Sequence, residues 1–125
     1  MPILNNDHYK LVTKINGILT LIKNEPKKFE NVFTELFHQD FEKELNFINS
    51  LDSGFLKGLV ISVKDLFDVK GYKTRGGSKF LEGPAKTKDA DCIALIRKSG
   101  GLLLGHTNMT ELAYSGLGIN PHYGT

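Results

Sequence analysis

Two short apolar runs, separated by one amphipathic helix, constrain the fold of this 125-residue chain more than any other feature. Residues 58–63 are rich in β-branched side chains, and residues 102–104 are all leucine, as expected of buried strands. Between them, residues 90–99 have helical spacing. This helix is expected to place Cys92, Leu95 and Ile96 together on one side. The order strand, helix, strand predicts a βαβ unit with parallel strands, and therefore an α/β fold.

The residues before this unit have a different pattern. Apolar residues recur at three- and four-residue spacing over residues 7–23, which predicts an amphipathic helix ending before Pro26. An extended stretch at 31–34 and a second helix with Phe41, Leu45 and Ile48 on one side follow. We therefore divide the chain into an N-terminal helical segment, 1–54, and the start of an α/β domain, 55–125. In the latter, residues 66–69 also have the pattern of an extended segment.

Composition excludes several functional classes. A hydrophobic content of 40% and a charged content of 24% are typical of a globular protein. The 16 basic and 14 acidic residues are scattered, so we expect no nucleic-acid partner. No apolar run approaches the ~20 residues that span a bilayer, so we expect no membrane association. The single cysteine, Cys92, and the absence of a signal-peptide pattern predict a cytoplasmic protein.

Polar residues follow both predicted strands. Lys64 and Asp65 come directly after the first strand, and residues 105–108 follow the second. The carboxyl ends of parallel strands meet at one edge of a sheet, where ligands of α/β proteins bind. Burial would give Lys64 a neutral amine that accepts protons, whereas a side chain that reaches water or pairs with a carboxylate such as Asp65 would be an ordinary charge at the end of a strand. The local pattern leaves both interpretations open.

The other candidate residues are less specific. His106 is expected to be a solvated loop histidine rather than an acid–base group. Ser78 follows two glycines but lacks the surroundings of a nucleophile elbow. Asp89 and Asp91 are expected to be capping charges at the helix start. No phosphate loop, zinc spacing, EF-hand or dinucleotide motif occurs, so we predict no metal and no cofactor.

Taken together, the residues from Gly58 onward resemble the amidase-signature family. The matching motifs are Val63-Lys64-Asp65 with Asp68 and Gly71, Thr74-Arg75-Gly76-Gly77-Ser78, Leu95 to Gly101, Gly105-His106-Thr107-Asn108-Met109 with Glu111, and Ser115 to Gly124. Two departures are visible: Val60 stands where the family usually has proline, and His106 stands where lysine is common. The 115–123 stretch looks more like the stand-alone amidases than like the glutamyl-tRNA amidotransferase A subunit.

The resemblance implies a fold and a chemistry. The fold is an α/β/α sandwich with a mixed sheet, of which this chain holds the N-terminal helices and the first βαβ portion. The chemistry is amide hydrolysis by a nucleophilic serine, a second serine at a cis peptide bond, and a lysine. Lys64 falls on that lysine, the general base, while Ser78, Asn108, Met109 and Ser115 are candidates for the substrate pocket.

The resemblance also implies what this chain does not contain. The serine-rich motif of the family lies downstream of the segment equivalent to 120–125, so we find no nucleophile and expect an inactive N-terminal fragment. Its predicted strands would expose apolar edges. Two alternatives stay open. The chain is one half of a split amidase or amidotransferase A subunit that needs a C-terminal half, or it is a non-catalytic binding or decoy protein for a full-length relative. The expected substrate, once the site is completed, is a small-molecule amide.

Overall fold

The computed structural model describes residues 6–125, with side chains described from residue 9. The helices in this range are α1 (Asn6–Asn24), α2 (Pro26–Phe29), α3 (Phe41–Ser50) and α4 (Asp91–Lys98). The strands are β1 (Phe33–Leu36), β2 (Val60–Lys64) and β3 (Leu102–Thr107). The strands predicted at 58–63 and 102–104, and the helices predicted at 7–23 and 90–99, are therefore confirmed. None of the described helices combines the length and the hydropathy needed to cross a bilayer.

Strands β2 and β3 are parallel, as the βαβ prediction requires. Val60 lies opposite Leu102 and Lys64 lies opposite Thr107, with one irregularity between Ile61 and Ser62. The α4 helix lies between the two strands in sequence and packs against β3. The carboxyl ends of β2 and β3 consequently share one edge of the sheet.

The N-terminal segment contributes a strand as well as helices. Strand β1 pairs with β3 in the antiparallel sense, which makes the sheet mixed, in the order β1-β3-β2. Gly105 permits this close approach, because a Cβ there would overlap the Glu35 carbonyl and lie 3.1 Å from the Leu36 Cα. Within residues 6–125, β3 is central, so the expectation that it exposes an apolar edge is wrong. The division at residue 54 stays a prediction, but both segments share this sheet.

One hydrophobic core joins both segments. Leu102 and Leu103 are fully buried at its centre, because β3 is covered by strands at its sides and by helices on its face. Side chains from all three long helices complete the core; these are Leu11 and Ile15, Phe41 and Ile48, and Ile93. Burial of such a side chain stabilises a fold by about 1.5–3 kcal/mol. The core holds β3, and thus the edge that carries Lys64, in a fixed place.

The α4 helix does not bury all of the side chains that its spacing places on one side. The helix buries Ile93 and partly Ile96, whereas Cys92 is exposed and Leu95 is 63% exposed. The helix starts at Asp91, and its packing on β3 selects a different stripe from the one chosen by spacing alone. The predicted capping charge Asp89 also does not cap the helix. Its carboxylate accepts the backbone N–H of Lys70 at 2.7 Å and pairs with the Arg97 Nε at 3.0 Å.

Candidate functional site

Lys64 is the last residue of β2 and lies at the shared carboxyl edge. Its side chain is exposed, and within the described residues its Nζ makes no hydrogen bond or ion pair. Its carbonyl accepts hydrogen bonds from the N–H groups of Leu66 at 2.6 Å and Phe67 at 3.1 Å. The chain therefore turns at once, and the extended segment predicted at 66–69 is wrong. The burial that would favour a neutral amine is not provided by the described residues.

Asp65, the first residue after β2, points into the protein on the same side as the buried Val63, so the alternation of side chains along the strand continues to it. It is fully buried. Its Oδ2 accepts a hydrogen bond from the Thr34 hydroxyl at 2.7 Å, and its Oδ1 accepts one from the backbone N–H of Arg75 at 2.9 Å. The Arg75 Nη1 lies 3.7 Å from Oδ2. Asp65 thus pairs with Arg75 and not with Lys64, whose side chain instead reaches water in the part of the chain that the structure describes.

The Arg75 guanidinium lies close to three carboxylates at this edge, those of Asp65, Glu35 and Glu82. Its Nη2 lies 3.0 Å from the Glu35 Oε2 on β1, and its Nε lies 3.8 Å from the Glu82 Oε1. Glu82 also accepts a hydrogen bond from the Tyr123 hydroxyl. Burial, together with this hydrogen bond, raises the pKa of Tyr123 to about 12. These contacts tie β1, β2 and the loops at 75–82 and 123 together behind Lys64.

His106 is a fully buried residue of β3, so its interpretation as a solvated loop histidine is wrong. Its ring lies edge-on to Phe37, with centroids 4.9 Å apart. Its Nε2 lies 3.0 Å from the Phe67 carbonyl, and its Nδ1 lies 3.5 Å from the Asp65 Oδ1. Burial lowers the pKa of His106, and this effect outweighs the opposite influence of the Asp65 carboxylate. Sequence reasoning missed this burial because the strand extends three residues beyond the leucine run.

Ser78 is also buried, and its hydroxyl is already engaged. It donates to the Glu111 Oε1 at 2.7 Å and accepts the N–H of Phe80 at 3.3 Å. The His122 Nε2 lies 2.8 Å from the same carboxylate oxygen. The hydrogen bonds from Ser78 and then from His122 lower the pKa of Glu111. This arrangement joins three loops but offers no free hydroxyl for attack.

Asn120 is the second residue that sequence reasoning missed. Its side chain is buried, and its Nδ2 donates to the carbonyls of Gly77 at 2.8 Å and Met109 at 2.6 Å. Its Oδ1 accepts the N–H groups of His122 at 2.7 Å and Tyr123 at 2.9 Å. The only local signal was the Asn-Pro dipeptide, which is typical of a turn. Through its hydrogen bond to the Gly77 carbonyl, Asn120 also connects the 76–78 loop to residues 120–125.

The four pocket candidates do not all lie together. Asn108 donates a hydrogen bond to the Gly124 carbonyl at 2.9 Å, and the Met109 carbonyl accepts one from Asn120. Ser78 reaches the same 120–124 segment indirectly, because its partner Glu111 also contacts His122. Ser115 lies on an exposed loop, where its Oγ accepts the N–H of Leu117 at 3.2 Å. Three candidates therefore belong to one network and Ser115 to a separate loop. Their role in a substrate pocket stays a prediction.

The loop that carries Ser115 is apolar and exposed. Leu112 and Ala113 have positive φ angles of 53° and 56°, a backbone conformation that residues other than glycine rarely adopt. Several large apolar side chains on or beside this loop face solvent; these are Phe80, Leu112, Tyr114, Leu117 and Ile119. We call residues 112–119 with Phe80 the apolar loop surface. A surface of this kind marks an interaction site in many proteins.

A cavity of about 480 Å³ lies elsewhere, between α3 and α4. Asp40, Phe47 and Arg97 are among its lining residues, whereas Lys64 and the four pocket candidates do not line it. Within the described residues, no three His, Cys, Asp or Glu side chains are grouped as a metal site requires. The sheet edge around Lys64, which the sequence analysis indicates as the candidate site, therefore lies apart from this cavity.

Comparison with known proteins identifies relatives of this chain. A profile described as Amidase matches residues 17–125. The chain is 40% identical over 73 residues to the glutamyl-tRNA(Gln) amidotransferase A subunit of Chromohalobacter salexigens, a match that covers 58% of this chain and 15% of that protein. It is 41% identical over 71 residues to a fatty acid amide hydrolase of Oryza sativa, covering 56% of this chain and 12% of that protein. The preference for stand-alone amidases stays a prediction, since both kinds match equally well.

The fold of this chain is also similar to that of a solved amidase structure. A crystal structure of an amidase superposes with a TM-score of 0.72 at 30% identity, over 97% of this chain and 30% of that chain. The chain thus spans less than a third of the length of the relatives and of the structure that it matches. The mixed α/β fold predicted from the amidase resemblance is confirmed by this superposition and by the sheet itself. The chain belongs to the Amidase family, and the matched residues, 17–125, include Lys64.

Proposed function

We propose that this chain supplies the lysine-bearing part of an amidase that hydrolyses carboxylic amides to an acid and ammonia or an amine. One observation carries the proposal. Lys64 stands exposed and unpaired, among the described residues, at the carboxyl edge of a parallel strand pair, while the adjacent Asp65 is turned inward. This is the place where α/β folds bind ligands.

Lys64 is the general base in this proposal. As a neutral amine it takes a proton, through a second serine held at a cis peptide bond, from the nucleophilic serine. The serine oxygen attacks the amide carbonyl, and backbone N–H groups stabilise the oxyanion that forms. The proton taken by Lys64 then passes back, through the second serine, to the amide nitrogen, which leaves as ammonia or an amine. Water hydrolyses the acyl-enzyme that remains. Burial by the rest of the sandwich would favour the neutral form of the lysine.

The serines of this chain do not fit the nucleophile. Ser62 shares the exposed face of β2 with Lys64, but no hydrogen bond joins any serine hydroxyl to the lysine among residues 9–125. The Ser78 hydroxyl is buried and donates to Glu111. We therefore propose that residues 1–125 alone do not hydrolyse amides. Both catalytic serines would come from the rest of the fold, in the same polypeptide or in a second chain.

The apolar loop surface supports a covering partner. Tyr114 is 93% exposed and Phe80 is 87% exposed, and their contact with the rest of a sandwich would remove this area from water. We propose that the partner is the C-terminal part of an amidase. A non-catalytic binding role is the second candidate, favoured by the same surface. The catalytic and the binding role differ in whether the complex of this chain with its partner hydrolyses amides.

The test is an assay of ammonia release from simple primary amides. The purified 125-residue chain is expected to give no rate above background. Co-expression with the C-terminal part of the amidase whose structure it matches is expected to give turnover, which Lys64→Ala abolishes. The matched control is Lys88→Ala, because Lys88 is another exposed lysine.

Each outcome distinguishes the candidates. Turnover by the chain alone that is lost in Lys64→Ala would overturn the proposed inactivity. A complex that forms without turnover would contradict the catalytic proposal and support the binding role. Turnover that survives Lys64→Ala would show that another residue is the base.

A further inference from the structure

Strand β2 lies at the edge of the sheet, and the proposed reaction does not use its free side. The strand order β1-β3-β2 leaves β2 with one partner, β3, among residues 6–125. An edge strand with free N–H and C=O groups is a template for pairing with another strand. The sequence of β2 contains no proline that would block such pairing. The groups along this edge therefore define the kind of partner that it can bind.

The backbone groups on the free side of β2 can be identified from their neighbours. The Leu59 carbonyl accepts a backbone N–H of β3 at 2.9 Å, and the Val63 carbonyl accepts a side-chain hydroxyl of β3 at 3.3 Å. In a trans peptide the next N–H points the opposite way, so the N–H groups of Val60 and Lys64 face away from β3. Ser62 lies midway between them and has the same orientation, because backbone directions alternate along a strand.

The edge of β2 is also regular. Ile61 pairs with Leu103 and Ser62 pairs with Gly105, so the extra residue at the irregularity, Leu104, belongs to β3. A bulge bends the strand that contains it and is one of the devices that protect sheet edges. Within the described residues, β2 has no such protection over its five residues.

This edge is self-complementary when a second copy of the chain approaches in the antiparallel sense. A twofold axis at Ser62 places the two Ser62 residues opposite each other, and Val60 opposite Lys64 of the second copy. The Ser62 residues then exchange two hydrogen bonds, and each Lys64 N–H donates to the Val60 carbonyl of the other copy. On the other face, Ile61 lies beside Val63 of the second copy. Both residues belong to the hydrophobic core or pack against it, so this β-branched pair continues the core.

The charge of Lys64 selects the antiparallel arrangement. Each Lys64 lies two residues from the axis, so the two Cα atoms are about 13 Å apart along the strand direction. This separation exceeds the Debye length of about 8 Å at physiological ionic strength. A parallel pair in the same register would place the two lysines on neighbouring strands about 4.8 Å apart, where like charges destabilise a sheet.

We propose that two copies of this chain associate through their β2 edges into an antiparallel dimer with twofold symmetry. The three described strands of each copy then form one sheet of six. Pairing at this edge also covers Leu59, which is 48% exposed in the single chain. The dimer goes beyond the function proposed above and does not rest on it, because the measurements below do not involve amide hydrolysis.

Disulfide cross-linking tests the register, in a Cys92→Ser background because Cys92 is exposed and would form disulfides of its own. In Ser62→Cys the two Cα atoms are expected about 5.5 Å apart, within the range of about 4.4–6.8 Å that a disulfide spans. Val60→Cys is the matched control on the same edge, since its two copies are about 13 Å apart. Oxidised glutathione is the oxidant, and non-reducing electrophoresis measures the dimer. We expect Ser62→Cys to cross-link at least about tenfold faster, because a separation above about 7 Å cannot be bridged without backbone movement.

Sedimentation equilibrium over a concentration series measures the dissociation constant of the dimer. Ser62→Lys places two positive charges directly opposite each other at the axis, whereas position 62 is exposed in the single chain. We expect the dissociation constant to rise about fivefold, which corresponds to about 1 kcal/mol for one cross-strand pair. Ser62→Thr is the matched control. It is uncharged and β-branched, so its dissociation constant should be equal to or lower than that of the wild type.

Three results would overturn the proposal. The first is a wild-type chain that stays monomeric at every concentration, which would leave the edge to a different partner such as the C-terminal part of an amidase. The second is equally fast cross-linking of Val60→Cys and Ser62→Cys, which would exclude this register. The third is an unchanged dissociation constant in a folded Ser62→Lys protein, which would place the contact elsewhere, for example on the apolar loop surface. If Ser62→Lys does not fold, the two cysteine variants still decide, because they introduce no charge.

Discussion

Replacement of the buried carboxylate of Asp65 tests whether the network behind Lys64 stabilises the fold. Asp65→Ala removes the acceptor for the Thr34 hydroxyl and for the Arg75 N–H, which lie at 2.7 and 2.9 Å. Hydrogen bonds to a charged group each contribute about 1.5–3 kcal/mol, so the two together contribute about 3–6 kcal/mol. Arg75 keeps Glu35 at 3.0 Å, so its charge is not left unpaired. We expect the free energy of unfolding to fall by about 3–5 kcal/mol.

Asp65→Asn separates the hydrogen bonds from the charge. Its side-chain oxygen can still accept the Arg75 N–H, and the Thr34 hydroxyl can rotate to accept from the new amide group. We therefore expect a smaller loss, about 1–2 kcal/mol. The matched control is Asp52→Asn, at an exposed position, which should stay within about 0.5 kcal/mol of the wild type.

Urea unfolding followed by circular dichroism at pH 7 measures these differences, with the slope checked for two-state behaviour. The expected order of destabilisation is Asp65→Ala, then Asp65→Asn, then Asp52→Asn. Equal free energies for all three variants would refute the reasoning, because the buried contacts would then contribute nothing. A more stable Asp65→Ala would show that burying the carboxylate costs more than its contacts return.

Two further predictions follow from backbone geometry and from titration. Gly77→Ala should lower the melting temperature. Gly77 has a φ of 71°, and an added Cβ would lie 2.8 Å from the Met109 carbonyl oxygen. The left-handed conformation alone costs about 1–2 kcal/mol for a residue other than glycine. Gly116→Ala, where a Cβ meets nothing within 4 Å, is its control. The pKa of His106 is lower in the folded chain than in the unfolded one, so the free energy of unfolding should fall as the pH drops below about 6.5. His106→Gln should remove that part of the slope, and a slope unchanged in this variant would contradict the assignment.

The amino-acid sequence by itself determined the elements whose signals are local. The β-branched run before Lys64, the leucine run at 102–104 and the helical spacing at 90–99 each predicted an element that the structure contains. Their order was enough to predict a parallel pair with Lys64 at its carboxyl edge. Periodicity and composition act within a few residues, so they identify elements and their succession well.

Tertiary structure decided the partners of the polar residues. Nothing near Asp65 in the sequence shows that its carboxylate meets Thr34 and Arg75, which come from a strand 31 residues earlier and a loop 10 residues later. The burial of His106 depends on β1, which joins β3 from the N-terminal segment. The hydrogen bonds of Asn120 likewise connect residues 11 and 43 positions away.

The physical reason is that a buried polar group is defined by what surrounds it and not by its own sequence neighbours. The sequence predicted that Lys64 comes directly after a strand, within one residue of where β2 ends, because strand ends are local features. Only the folded sheet turned Asp65 inward to Arg75, placed the His106 ring against the Phe67 carbonyl, and left the amine of Lys64 without a partner among the described residues.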